Sequence, residues 1–199
     1  DVAAVLNEHV IPSYSFLRAT IENQKAVFPL EWNQILSALK GVKFFDLFIP
    51  PAYGGCKNSE SDLYCLMELF GYSSPVLGII FVSHGRAADI IQRGSEDQKN
   101  KFFPRMLEGQ FGAIAMTEEK AGSDASAIGF MASQTDGTHV LNGEKIFISN
   151  SGLAEIYTLL VNTKGIKGPR SLSVFIVEKN TAGFSIEGLP EKDGLKALP

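Results

Sequence analysis

Two cysteines, three histidines and a single tryptophan in 199 residues leave little material for several kinds of chemistry. Cys56 and Cys65 form no CxxC pair, so neither a zinc site nor a disulfide framework is indicated, and no metal is expected. Sparse, unpaired cysteine points to a reducing interior compartment, the cytoplasm or the mitochondrial matrix. Positive charge is also scarce. The net charge is −4 and no block of Lys and Arg occurs, which argues against a surface built for a nucleic-acid backbone. Long apolar runs are missing too. The longest, SSPVLGIIFVSHG at 73–85, is too short to cross a bilayer, is broken by Ser and Gly, and reads as a buried core helix. The chain opens on Asp1 rather than Met, which leaves a removed targeting segment open.

What is present is core. The chain is 45% hydrophobic with fourteen Phe, enough for one large unit or two modest ones. The first hundred residues carry a helical period. In PLEWNQILSALKG (29–41), Trp32, Ile35, Leu36 and Leu39 share a face between Pro29 and Gly41. SDLYCLMELFG (61–71) repeats the pattern, and PVLGIIFVSHGRAADIIQRG (75–94) follows between Pro75 and Gly94. Ser95 and Gln98 form a capping box before EDQKNKFFPRML, where Pro104 predicts an end or a kink.

After Phe111 the period shortens. FGAIAM, HVLNGEKIFIS, IYTLLVN, SLSVFIVEK and GFSIE are predicted strands separated by Gly, Asn, Asp and Lys. Asn142-Gly143 in LNGEK predicts a type I′ hairpin turn. The chain therefore reads as α+β, with a helical unit over 1–110 and a β unit over 111–199. The β unit is expected to be an antiparallel barrel or sandwich cut short, since about five strands are fewer than such folds use. A truncated chain is the expectation.

Two segments carry chemistry without a nucleophile. IAMTEEKAGSDASA (114–127) ends an apolar run in Thr117, two carboxylates and a Gly-Ser-Asp turn. One reading is a plain strand-ending turn. The other is a cradle in which small residues admit a ligand, backbone amides grip an anion, and Thr117 and Ser123 donate hydroxyls. An organic cofactor with a polar ring edge and a phosphate tail suits such a cradle. GEKIFISNSG (143–152) ends a predicted strand, so Phe147 either stacks on a planar ligand with Ser149 on the same face or is plain core.

Together these segments resemble the acyl-CoA dehydrogenase family. AMTEEKAGSD resembles its first flavin signature and LNGEKIFISN its second, while IPPAYGG (49–55), GSEDQKNKFFPRMLEGQ (94–110), VFIVEKNTAGFSIE and EKDGLKALP resemble further landmarks in order. The resemblance implies a helical domain, a middle β domain and a C-terminal four-helix domain that this chain lacks. It implies FAD as cofactor, with backbone groups of Ile114, Ala115 and Met116 and the Thr117 hydroxyl on the isoalloxazine pyrimidine edge. Gly122 and Ser123 would lie at the pyrophosphate or the acyl-CoA, and Phe147 and Ile148 against the ring. Ser149 would bond flavin N5. The implied reaction is α,β-dehydrogenation of an acyl thioester, on CoA or an acyl-carrier protein. Electrons would pass to an electron-transfer flavoprotein, and the protein would be a homodimer or homotetramer.

The family's catalytic base comes from the absent domain, so no catalytic residue is named, and Glu118 belongs to the loop. Glu119 replaces a usual Pro and Phe147 a usual Trp, while Pro169 stands where a pantetheine-binding Ser is expected, with Ser171 and Ser173 nearby. His84 is a candidate substrate contact beside Phe81 and Val82, against the plain reading of a satisfied core histidine. Three further readings stay open on the same scaffold: an acyl-CoA oxidase, a flavin monooxygenase and a non-catalytic fragment.

Overall fold

The computed structural model describes residues 2–5, 8, 20–22, 25–27, 30–56, 59–188, 195 and 198. A short helix α1 (Val2–Val5) and a two-stranded antiparallel ribbon, β1 (Thr20–Glu22) and β2 (Lys25–Val27), precede the main helices. These are α2 (Leu30–Gly41), α3 (Glu60–Ser73), α4 (Pro75–Gln92) and α5 (Glu96–Leu107). Their starts follow the caps. Ser59 with Asp62 and Ser95 with Gln98 close reciprocal capping boxes, and Pro75 occupies the first turn of α4 behind the Ser74 cap. α5 runs through Pro104 to Leu107, so the helix does not end at the proline. Of the α2 face, Ile35 and Leu39 are buried, whereas Pro29 and the Trp32 side chain fall outside the described residues.

Phenylalanine builds the core. Phe44, Phe45 and Phe48 come from one 3-10 segment; Phe44 meets Phe48, Phe70 of α3 and Phe81 of α4, the last edge-to-face at 4.3 Å between centroids, and Phe45 also meets Phe81. Phe111 joins the cluster against Phe45 at 5.2 Å, so one core continues from the helices into the sheet.

The sheet has five strands: β3 (Gly112–Ala115), β4 (Met131–Thr135), β5 (Thr138–Asn142), β6 (Ile156–Asn162) and β7 (Leu172–Glu178). β6 is central and nearly all buried, which is why it reads as a continuous apolar run. β7 lies antiparallel along one edge of β6. The other edge is shared: β3 runs parallel to Ile156–Leu159, and β4 takes over at Asn162. The sheet is therefore mixed, antiparallel at β4–β5 and β6–β7 and parallel where β3 and β4 meet β6. The loop from Met116 to Phe130 sits where β3 leaves that edge and before β4 takes it up.

Three strand expectations are corrected. The hairpin turn is Asp136-Gly137, both with positive φ of 49° and 77°, and joins β4 to β5. Asn142-Gly143 makes no hairpin; β5 stops there, and residues 143–150 are irregular. GFSIE is also irregular, although its Phe184 ring packs on Tyr157 at 4.7 Å. Lys101 and Arg105 of α5 both pair with Glu178 of β7, and their hydrogen bonds hold that carboxyl below the usual carboxylate range. Most of EKDGLKALP lies outside the described residues. No described helix is long and apolar enough to cross a membrane.

Candidate functional site

The two segments singled out in the sequence lie side by side. The Ile146 amide donates to the Thr117 carbonyl at 2.9 Å, and Lys145 Nζ donates to the Met116 carbonyl at 3.0 Å. β3 delivers the first segment. It is an edge strand whose only strand neighbour among the described residues is β6. Gly112 turns its N–H and C=O away from β6, to His84 and Asn150. Strand alternation turns the N–H and C=O of Ile114 the same way, off the sheet edge, where no described group meets them. Ala113 and Ala115 are buried.

Beyond the strand, Glu118 and Ala121 exchange two backbone hydrogen bonds and tie the loop into a tight turn. The Glu118 carboxylate receives three donors: Lys145 Nζ at 2.6 Å, Gly129 N–H at 2.8 Å and Phe130 N–H at 3.1 Å. Burial by itself would raise its pKa, but these donors together hold it below the ordinary value. Burial pulls Lys145 down, and Glu118 opposes that only in part. Glu118 is thus a structural anion, with its lone pairs engaged, which agrees with leaving it out of the catalytic residues.

Gly122, Ser123 and Asp124 are exposed. Asp124 caps the following 3-10 turn by accepting Ser126 N–H and Oγ–H, and the Ser126 side-chain and backbone bonds lower its pKa. A Cβ built on Gly122 meets nothing within 4 Å, so the loop leaves open space there. The hydroxyls of Thr117, Ser123 and Ser149 have no partner among the described residues. Phe147 is neither core nor part of a strand: its φ is 55° and its side chain is 74% exposed. Ile148 and Ser149 are half-buried, and Met116 is 40% exposed. Met116 and Thr117 are thus brought against the Phe147–Ser149 bend through the Lys145 and Ile146 bonds, and Ser123 stands on the far limb of the turn.

Of the two readings of His84, the structure shows the plain one. The residue is fully buried among Phe45, Phe48 and Phe111, and its Nδ1 accepts the Gly112 N–H at 3.2 Å. Phe81 is likewise fully buried, and only Val82 of that trio is exposed. His84 is a core histidine rather than a surface for substrate. Burial pushes its imidazole down to about 3. A folded value below the unfolded one means that stability is fully present above the unfolded pKa, about 6.5, and falls as pH drops beneath it. Between pH 6.5 and 5, this residue should cost the protein up to about 1.4 kcal/mol per pH unit. His84→Asn offers an oxygen to Gly112 and lacks the titration. Urea unfolding at both pH values should show the wild type losing about 1.6 kcal/mol more than the variant; equal losses would sink the assignment.

Sequence reasoning missed Lys145 and Asn150. Asn150 has φ 66° and is completely buried, and it donates from Nδ2 to the Ile80 carbonyl at 2.8 Å and the Gly112 carbonyl at 3.0 Å. Its signal was present as an Asn at the end of an apolar run, one of the few side chains that tolerate left-handed backbone. Among the described residues, no group of three or more His, Cys, Asp or Glu could hold a metal ion.

Comparison with known proteins agrees with this fold. The acyl-CoA dehydrogenase N-terminal domain family matches residues 1–110, and the acyl-CoA dehydrogenase middle domain family matches residues 113–199. An acyl-CoA dehydrogenase of Bacillus subtilis is 36% identical over 150 residues, which is 74% of this chain and 40% of that protein. The structure of butyryl-CoA dehydrogenase from Megasphaera elsdenii superposes with a TM-score of 0.83 at 28% identity, covering 99% of this chain and 51% of that one. An acyl-CoA dehydrogenase from Bacillus anthracis, solved complexed with FAD, superposes with a TM-score of 0.81 at 26% identity, covering 99% of this chain and 33% of that one. The chain spans less than half the length of the curated relatives it matches. By its sequence along both segments and by its fold, the chain belongs to the acyl-CoA dehydrogenase family.

Proposed function

We propose that this chain forms the flavin-holding part of an FAD-dependent acyl-CoA dehydrogenase, which removes hydrogens from the α and β carbons of an acyl thioester. The observation that carries the reading is the convergence of unpartnered polar groups beside an exposed ring. Ile114 N–H and C=O, Thr117 Oγ1 and Ser149 Oγ lack described partners, and Phe147 stands 74% exposed on the bend that Ile146 ties to Thr117. A polar-edged planar ligand satisfies that set, and the open space at Gly122 leaves room for a phosphate tail with Ser123 beside it.

In this reading Ile114, Ala115, Met116 and Thr117 hold the pyrimidine edge, Phe147 and Ile148 lie at the ring, Ser149 bonds its reactive edge, and Gly122 and Ser123 bond the pyrophosphate or the substrate. When bound, FAD supplies a hydride acceptor. The protein's own work is to bind, orient and keep water from the ring. Lys145 fixes the Met116 carbonyl while Glu118 neutralises its charge, so the donors stay aimed without a loose cation nearby. None of the described carboxylates is placed as the base that takes the α-proton. The electron acceptor would be an electron-transfer flavoprotein, and the thioester carrier CoA or an acyl-carrier protein.

The test is a visible spectrum of the protein at its full natural length, reconstituted with FAD and titrated without air with acyl-CoAs of several lengths. Bleaching by one of them supports dehydrogenation. Bleaching only by carrier-protein thioesters moves the substrate to that carrier, and rapid reoxidation by air moves the enzyme to the oxidases. A protein that takes up no flavin overturns the reading. Gly122→Val sharpens the test. It should leave urea stability within about 0.5 kcal/mol, since nothing crowds the position. It should weaken FAD binding at least about tenfold, roughly 1.4 kcal/mol. Unchanged affinity would remove Gly122 from the site.

A further inference from the structure

Ile80, Ser83, His84 and Ala87 stand on one face of α4, at the i, i+3, i+4, i+7 spacing. All of them reach the same two pieces of chain. The Ile80 carbonyl accepts Asn150 Nδ2, Ser83 Oγ donates to the Ser149 carbonyl at 3.3 Å, and His84 Nδ1 accepts the Gly112 N–H. A Cβ on Gly112 would lie 2.6 Å from Ala87 Cβ, so only glycine lets β3 come this close. Asn150 closes the ring of contacts by donating its second hydrogen to the Gly112 carbonyl. Gly112 is therefore gripped at both polar groups, once by α4 directly and once by a side chain that α4 holds.

The bend that ends at Asn150 is the one that bears Phe147 and Ser149. Two left-handed residues, Phe147 at φ 55° and Asn150 at φ 66°, lie within it. Non-glycine residues persist in that region only where their surroundings hold them. Upstream the bend is tied by Ile146 N–H to Thr117, and downstream by Asn150, whose carbonyl also accepts Leu153 and Ala154 N–H at the entry to β6. Asn150 Oδ1 has no partner, so the side chain acts through its two donor hydrogens. Aspartate, of nearly the same shape, has none and would set a charge against two carbonyl oxygens.

We propose that this face of α4 is a latch and Asn150 its positioning residue: through Ile80, Ser83 and His84, the helical part of the chain sets where Phe147 and Ser149 stand relative to Ile114 and Met116. The inference rests on the flavin reading above. In it, the two segments that contact the ring are tied to each other at Thr117 and Met116 by Ile146 and Lys145, and their roots are held from outside. α4 sets the spacing at those roots, by holding Gly112 at the root of one segment and Asn150 at the root of the other.

The test compares wild type, Asn150→Asp and Ser83→Ala at full natural length. Asn150→Asp should still take up FAD, with its visible bands shifted. Its flavin should be reduced at saturating acyl-CoA about a hundredfold more slowly, with KM changed less than about threefold, as misplacement rather than lost binding predicts. In the flavin-free protein, the amides of residues 147–151 should exchange with deuterium at least about tenfold faster. Ser83→Ala should move the same readouts in the same direction, the rate by about three- to tenfold. Where Asn150→Asp does not fold, Ser83→Ala decides. Wild-type spectra and reduction rates in a variant that folds overturn the latch, including the case where exchange alone changes, because that marks a purely structural tie. A wild type that takes up no flavin overturns the flavin reading, and the latch's role with it, before any variant is made.

Discussion

Glu118→Ala should cost about 3 kcal/mol of unfolding free energy, read from urea denaturation, because it leaves Lys145 buried without its carboxylate. The Lys145 side chain is 4% exposed and that of Glu118 12%. Without Glu118, the ammonium keeps only the Met116 carbonyl and the face of Phe130 at 5.3 Å. Two backbone donors, Gly129 and Phe130, also lose their acceptor. The figure sits at the low end for breaking a buried pair, because Glu118 keeps some contact with solvent. Lys145→Met alone should be costly as well, and the double variant should be less destabilised than the sum of the two, since each single change strands a charge. Acid should act in the same direction. The folded pKa of Glu118 is depressed, so its contribution is complete above the ordinary carboxylate value, about 4.3, and disappears as pH falls through the folded one. A loss under about 1 kcal/mol for Glu118→Ala would mean that water replaces the pair at little cost. The consequence for function follows from Lys145, which ties the two ligand-facing segments together: flavin affinity should fall along with stability.

Phe81→Ala should cost about 4 kcal/mol. The ring is fully buried and meets Phe44 at 4.3 Å, Phe70 at 5.3 Å, Phe45 at 5.8 Å and Phe111 at 6.1 Å between centroids. Those neighbours come from the 3-10 segment, α3 and the start of β3, so the cavity left behind has walls that cannot all close in together. Phe81→Leu, which keeps most of the volume, should cost less than about 1.5 kcal/mol. Urea unfolding separates the two. Similar losses for both variants would show that the cost lies in ring geometry rather than in volume. Phe81 also sits between Ile80 and Ser83 on α4, so the alanine variant should disturb the flavin spectrum more than an equally destabilising change on α2.

Much of the helical part was legible because each signal was local. A capping box, an N-terminal proline and apolar spacing are read within a dozen residues: α5 begins at the Ser95–Gln98 box and α4 at Pro75, as expected, whereas the Ser59 cap of α3 was not read. The sheet was less legible. β4 (MASQT) was overlooked because only Ala132 of its five residues is buried, so it carries almost no apolar alternation. The neighbouring Asp136-Gly137 was as good a turn signal as Asn142-Gly143. Which of them closed a hairpin depended on β4 existing to pair with β5.

The sequence by itself determined the family and the two chemical segments, since side-chain type, order and spacing survive without coordinates. It also determined that Thr117, Ser123, Phe147 and Ser149 were the groups to examine. Only the tertiary structure decided their surroundings. Phe147 became an exposed ring on left-handed backbone, His84 a buried acceptor for Gly112, and Glu118 the locked partner of Lys145. The reason is sequence separation. Lys145 and Glu118 are 27 positions apart, His84 and Gly112 28, and Asn150 and Ile80 70. No local period encodes such pairs; they exist because β3 and α4 meet across one aromatic core and bring distant polar groups to the same carbonyls.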